Sequence, residues 1–410
     1  MELRKWFFSF ALQGASLSLF NIVVSLYVIL GLNGNVQGAS IAVALFSLGN
    51  LIGSISSGII LDRIKRVSTL IYICFFASSV IMILMGFTKT LYLYYIFAVL
   101  LGTLISFTGP AMTLHLTKLG EEGFVRRQVN TLNLFNSVGS TIGMLFGSVM
   151  LSLIHNLNDV LKLKLILLIA SLMLLVSSLL VMEKGRRRIV VRPDIRATRI
   201  LFTRIVDFTG EFFKFVDVRN LDRSMRLITT AVFVTFFGAN IVLSIFTVFL
   251  KETFKMSSQL IFLIYAANSF AGNIAFFMVG RLKTTKYDKL FIRLVIFARG
   301  IIFALFGLLT LLKLPFIKSF IIVGFVFIGF TWPFLYIPLT LEITKLAPQR
   351  SRGRALGIFN MSINSAVILA SFVAGIIALH FGYVIAFLIG GGLMIVGGLI
   401  FHKSLNRQKI

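Results

Sequence analysis

Stretches of about twenty or more largely apolar residues recur along the chain. They fall at about 7–31, 38–61, 67–87, 91–116, 129–153 and 160–182, and after a polar gap at 227–250, 258–280, 290–312, 317–341, 354–379 and 383–402. Each run is apolar all round and lacks the polar face that a helix of a soluble bundle keeps. A hydrocarbon layer of about 30 Å takes roughly 20 helical residues. The pattern therefore predicts an all-α membrane protein with twelve transmembrane helices. The polar gap divides it into a first six-helix bundle at 1–182, a linker at 183–226 and a second six-helix bundle at 227–410.

The linker opens with Glu183-Lys184-Gly185-Arg186-Arg187-Arg188. Further on, Leu201, Ile205, Phe208, Phe212 and Phe215 fall on one helical face, and Arg204, Asp207, Glu211 and Lys214 on the other. This is the pattern of an interfacial helix on an anionic leaflet, or of a tether whose apolar stripe packs on the bundle.

Composition agrees with the pattern. Of 410 residues, 58% are hydrophobic, and the mean hydropathy is +0.98. Soluble domains average about 45–50% apolar. The partners expected are the lipid bilayer and a small-molecule substrate.

The net charge of +26 does not form a basic domain for nucleic acid. It sits in short clusters between apolar runs. The N-terminus, the even-numbered loops and the C-terminus hold about 32 Lys and Arg, and the odd-numbered loops about 7. By the positive-inside rule both termini and the linker are cytoplasmic, which places the chain in the cell membrane as a multi-pass protein. Met1 to Lys5 followed by an apolar run has the outline of a signal peptide. The run is too long for one, so a retained first helix is expected. Cys74, the one cysteine, lies inside an apolar run and reads as a small buried hydrophobe.

The halves resemble one another at an offset of 227 residues. Thr113-Leu114-His115-Leu116-Thr117-Lys118-Leu119 aligns with Thr340-Leu341-Glu342-Ile343-Thr344-Lys345-Leu346. Without a gap, Gln13 falls on Asn240, Arg127 on Arg354 and Asn133 on Asn360. With a small shift, Gly49-Asn50 resembles Gly272-Asn273. Two pseudo-symmetric six-helix bundles joined by a linker can rock about a central site and open to one side at a time.

Two loops carry motifs. Between the second and third spans stand Gly58-Ile59-Ile60-Leu61-Asp62-Arg63-Ile64-Lys65-Arg66. This resembles the Gly-x-x-x-Asp-Arg-x-Gly-Arg-Arg/Lys signature of the major facilitator superfamily, through Gly58, Asp62, Arg63 and Arg66, with Lys65 in place of the second glycine. The second-half counterpart, Gly280-Arg281-Leu282-Lys283, lacks the acid. Before the eleventh span, Arg352-Gly353-Arg354-Ala355-Leu356-Gly357 is similar to the Arg-Gly-Arg-Ala-x-Gly lead-in of that superfamily, its drug-efflux branches above all. The fifth span carries Gly139, Gly143 and Gly147, four apart, which lets helix backbones approach closely. The proline of the efflux antiporters' fifth-span motif is missing here.

The resemblance implies that Asp62 meets the start of the eleventh helix near Arg352 or Arg354 when the cytoplasmic side closes. A carboxylate there also suits a helix N-terminus. The resemblance further implies that spans 1, 4, 7 and 10 line a central cavity, flanked by 2, 5, 8 and 11. On those spans the candidate lining residues are Gln13, Asn21, Asn133, Asn240, Ser244, Trp332, Tyr336 and Asn360, with Gln13 and Asn240 leading because the repeat relates them. The other amides there are Asn50, Asn136, Asn268, Asn273 and Asn364, and an interhelical hydrogen bond is the plainer role for each.

Acids are absent from mid-span, and the fourth-span arginine of many proton-coupled relatives is absent too. Candidates for ion coupling or an anion site are His115, Glu342 and Arg299. Arg299 stands about nine residues into the ninth span, from where a long side chain could snorkel towards the cytoplasm, and a structural role is the plainer expectation for it than an anion site. Coupling to H+ or Na+ and simple uniport both stay open.

The leading expectation is a secondary transporter working by alternating access and exporting a neutral or amphipathic small molecule. A sugar, another metabolite or an organic anion follows closely, the anion if Arg299 or His115 faces the cavity. A receptor or lipid scramblase of the same fold is the alternative of another class. A membrane enzyme would need clustered His, Asp or Ser–base pairs within the spans, so no enzymatic role, cofactor or metal is expected. No nucleotide-binding glycine loop ending in Lys-Ser or Lys-Thr is present.

Overall fold

The computed structural model describes residues 2–61, 67–117, 122–154, 157–182, 223–281, 288–312, 316–346 and 352–406. The amphipathic stretch at 201–215 lies outside them, as do Asp62, Arg63 and Arg66.

The first half comprises α1 (Glu2–Gly31), α2 (Val36–Leu61), α3 (Val67–Phe87), α4 (Leu91–Ser106), α5 (Thr108–Thr117), α6 (Glu122–Leu153) and α7 (Asp159–Val181). The second comprises α8 (Arg223–Glu252), α9 (Ser258–Arg281), α10 (Asp288–Leu311), α11 (Ile317–Leu346) and α12 (Arg352–Asn406). Helices α4 and α5 together make the fourth span. Helix α12 makes the eleventh and twelfth. Among the described residues the result is two six-helix bundles and twelve spans.

Local chemistry explains the breaks. Asn33 takes the left-handed backbone, φ 51°, and the Asn35 side chain accepts the Gly38 N–H at 2.9 Å, which caps α2. Pro110 has no N–H to give the Ser106 carbonyl, and its ring crowds that carbonyl, so the fourth span breaks after Ser106. Gly382, at φ 84° and ψ 165°, divides the two spans of α12. Only glycine adopts that backbone without strain.

Large apolar side chains point outward in numbers, among them Tyr92, Phe87, Leu153 and Val323. A bilayer, in which every helix satisfies its own backbone, accommodates that surface.

Small residues set the interhelical distances. A Cβ on Gly139 would stand 2.0 Å from the Ala11 carbonyl oxygen, and one on Gly143 would stand 2.5 Å from that of Ala15. Thus α6 lies directly on the backbone of α1. At the repeat offset the same positions of α12 are Ala366, Ala370 and Ala374, all fully buried. The glycine pair Gly102 and Gly329 behaves alike. Gly102 touches the Phe46 carbonyl of α2 and Gly329 the Asn268 carbonyl of α9, each with a Cβ-to-oxygen distance of 2.2 Å. The repeat is therefore structural as well as sequential.

Helices α2 and α12 pack across the bundle boundary, and so do α6 and α9. Two faces of the molecule follow from the topology. The odd-loop face carries the connections near residues 31–36, 87–91, 153–159 and 252–258. The terminal face carries the start of α1 and the end of α12.

Candidate functional site

The seam between the bundles is polar. Starting at the odd-loop face, Lys251 of α8 and Asp159 of α7 form an ion pair at 3.3 Å. Ser148 of α6 donates to the Gln259 carbonyl of α9 at 3.1 Å. Deeper, the Thr141 and Ser269 hydroxyls share a hydrogen bond of 2.7 Å. Deeper again, the Asn273 amide donates to Thr141 Oγ1 at 2.9 Å, and its oxygen accepts from the Ser137 hydroxyl. On the α2–α12 side, Gly375 lies against Gln37 and Ser40, near the odd-loop end of α2. These bridges fill the odd-loop half and extend a little past mid-span, to Ser137 and Asn273. Towards the terminal face, Asn133 of α6 and Gly357, Asn360 and Asn364 of α12 are exposed. The two bundles are thus joined on the odd-loop side, while polar positions lie open on the other.

Two central helices show where open space meets them. From Ser18 to Val28, Asn21 is the one residue of α1 that is not buried. From Ala231 to Leu250 of α8, only Phe233, Val234, Phe237, Asn240 and Leu243 are not buried. Phe233, Phe237, Asn240 and Leu243 follow one another at three- and four-residue steps and so form one helical stripe. Asn240 also donates back to the Phe236 carbonyl at 2.8 Å.

The remaining candidates divide by role. Gln13 is buried and donates to Thr108 Oγ1 at 3.0 Å, and its Oε1 has no partner. Ser244 turns back to the Asn240 carbonyl at 2.7 Å, within its own helix. Trp332 and Tyr336 stack, with ring centroids 5.4 Å apart and planes 16° apart. Asn136 and Asn268 make interhelical bonds to the Phe10 and Phe325 carbonyls, the plainer role foreseen for them. Gly58 and the pair Arg352 and Arg354 belong to α2 and α12, and His115 to α5, but their surroundings lie outside the described residues. Glu342 is buried on α11 and engaged.

Arg299 does not snorkel. It is 2% exposed, and its Nη1 donates to the Ile328 carbonyl of α11 at 3.0 Å. The guanidinium carbon stands 5.7 Å from the centroid of the Trp332 ring. Acceptors and an aromatic face inside the bundle hold the side chain where water would otherwise have drawn it. Arg299 and Trp332, with Thr235 and Asn240 of α8, line a cavity of about 150 Å³ in the second bundle.

Sequence reading missed Thr235, Ser137, Thr141, Ser269 and the Lys251–Asp159 pair. Hydroxyls in apolar runs carry no periodic signal, and the ion pair joins residues 92 positions apart.

Known proteins share the fold. The family model of the Major Facilitator Superfamily matches residues 6–366. No curated protein sequence matches the chain significantly. Among solved structures, one of the nucleoside transporter NupG superposes with a TM-score of 0.74 at 16% identity, covering 98% of this chain and 100% of that one. A POT family transporter in complex with a thioalcohol-conjugated peptide gives 0.73 at 13% identity, covering 99% and 96%. A D-xylose–proton symporter gives 0.70 at 16% identity, covering 98% of both chains. With a family match over most of its length and a fold shared with these transporters, the chain belongs to the major facilitator superfamily.

Proposed function

We propose that this chain is a secondary active transporter that works by alternating access and exports a small amphipathic organic molecule across the cell membrane. The observation that carries the reading is the distribution of bridges between the bundles. From Lys251–Asp159 they fill the odd-loop half of the membrane and run a little past mid-span to Ser137–Asn273, while Asn133 and Asn360, nearer the terminal face, are exposed. That is one of the two states a rocking pair of bundles passes through.

The positive-inside asymmetry makes the terminal face cytoplasmic, so this state would be the one that loads from the cytoplasm. The Arg352-Gly353-Arg354-Ala355-Leu356-Gly357 lead-in supports export. Bundles at 1–182 and 227–410 joined by the linker 183–226, with a gate of Gly58, Asp62, Arg63 and Arg66 against Arg352 and Arg354, complete the proposal. Asn21, Asn240, Trp332 and Tyr336 supply polar and aromatic surface on the central helices, with Gln13 behind them.

The test is counterflow in sealed proteoliposomes. The panel comprises an amphipathic dye, a nucleoside, a pentose, a dipeptide and organic anions, each with and without a pH or Na+ gradient. Saturable exchange of one panel member supports the reading, and its response to a gradient identifies the coupling ion. Absence of any exchange combined with rapid flip of labelled lipid would replace the transporter with a scramblase.

A further inference from the structure

Among the described residues, three buried polar groups of the second bundle lack partners, Ser258 at the head of α9 and two that lie together deeper in the bundle. The Nε of Arg299 and the hydroxyl of Thr235 are buried without a hydrogen-bond acceptor or donor, and both residues are 2% exposed. Both line the same cavity. Buried polar groups are ordinarily satisfied, and an exception asks for a missing partner.

The chemistry of that partner follows from the walls. Arg299 is cationic, and no Asp or Glu lines the cavity among the described residues. Arg299 and Glu342 are the two buried charged side chains among the described residues. Glu342 stands ten residues past Trp332 on α11, about 15 Å at the helical rise, and is engaged in its own contact. The bundle therefore places an uncompensated positive charge beside an empty space. With Nη1 committed to the Ile328 carbonyl, the free edge of the guanidinium includes Nε. Such an edge meets a carboxylate with parallel hydrogen bonds.

The body of the ligand follows from size and lining. A cavity of about 150 Å³ is the volume that holds one benzene-sized group. Trp332, Ile363 and Met394 supply its apolar wall, and Phe236 meets the Trp332 ring edge-on at 5.7 Å. Asn240, on the half-exposed stripe of α8, lines it as well.

We infer that this cavity is the subsite for the carboxylate of an aromatic or short-chain monocarboxylic acid, held by Arg299 and Thr235 against Trp332. The inference deepens the transporter reading and rests on it, because it makes the amphipathic solute an organic anion.

The experiment uses the full chain carrying Trp6→Phe, so that Trp332 is the single tryptophan. Its fluorescence is titrated with benzoate and with benzamide, the neutral molecule of the same shape. Benzoate should give a saturable change at a concentration at least tenfold below that for benzamide. Arg299→Gln should remove that preference, and Arg299→Lys should keep part of it. Thr235→Val, which preserves shape, should weaken benzoate several-fold and leave benzamide unchanged. It serves alone if Arg299→Gln fails to fold. Equal affinities for the two probes, no saturable change with benzoate, or displacement of benzoate by chloride at equal concentration would each overturn the carboxylate site. Benzoate flux in proteoliposomes is measured separately. Charge-selective binding without flux keeps the site and removes the transporter reading. Flux of a panel solute without charge-selective binding keeps the transporter and removes the site.

Discussion

Lys251, at the end of α8, stands 3.3 Å from Asp159, at the start of α7, and the pair ties one bundle to the other. Lys162 approaches the same carboxylate at 3.6 Å from within its own helix. Because the Asp159 side chain is half exposed, water and salt screen the pair, which limits it to below about 1 kcal/mol. Asp159→Asn should therefore loosen the odd-loop face by about two- to fivefold in population and no more. Maleimide labelling of Ser148→Cys in a Cys74→Ala background measures this, since Ser148 is buried in the seam. Labelling of the Asp159→Asn variant should be faster by that factor, and 1 M salt should bring the parent chain towards it. Equal rates at low salt would remove the pair from the closing contacts.

Two half-buried asparagines of α9 differ in what they join. Asn268 bonds to the Phe325 carbonyl within the second bundle, whereas Asn273 bonds to Thr141 across the boundary. Interhelical hydrogen bonds in membranes are worth about 0.6 kcal/mol on average, with a maximum near 1.7. Asn273→Ala should accelerate Ser148→Cys labelling with little change in thermal midpoint. Asn268→Ala should lower the midpoint without accelerating labelling. Reversal of these two outcomes would mean that α6 and α9 do not form the moving boundary.

Glycines that touch backbone behave differently from glycines in open space. Gly139→Ala and Gly143→Ala each force a methyl group into an α1 carbonyl, and overpacking of this kind costs about 1–3 kcal/mol or more. Gly392 has nothing within 4 Å of its absent Cβ, so Gly392→Ala should gain up to about 1 kcal/mol from helix propensity. Thermal unfolding in detergent compares the three. A stable Gly139→Ala would contradict the direct contact of α6 with α1.

The motif between the second and third spans gives a kinetic prediction. Asp62→Asn removes the charge proposed to meet Arg352 or Arg354, so it should slow counterflow while insertion and yield stay unchanged. Unaltered flux in proteoliposomes would assign Arg63 and Arg66 to topology alone.

Fold and chemistry were not equally legible in the sequence. Apolar run length located every span within a few residues, because the bilayer imposes that length on each helix separately. The break after Ser106 was missed although Pro110 foretells it, since a run with a kink is as apolar as one without. Asn21 is expected at the cavity from the family resemblance and Asn240 from the resemblance and the repeat; in the structure Asn21 is exposed and Asn240 half-buried. Ser244 was named with them and faces its own helix. A single polar residue in an apolar run does not disclose its facing. Arg299 shows the limit best. Its depth in the span was readable, but its burial depends on the Ile328 carbonyl and the Trp332 ring, 29 and 33 residues away on another helix.

Alternating access of two bundles is tested most directly by distances across both faces at once. In a Cys74→Ala background, spin labels at Leu157→Cys and Lys255→Cys report on the odd-loop face, and labels at Lys5→Cys and Arg226→Cys on the terminal face; all four positions are exposed. Double electron–electron resonance in lipid nanodiscs should find the odd-loop pair short and the terminal pair long in the parent chain. Asp159→Asn combined with Asn273→Ala should populate a second state in which the first distance lengthens and the second shortens. Distances that move in the same direction, or a single unchanging population at both faces, would contradict the account.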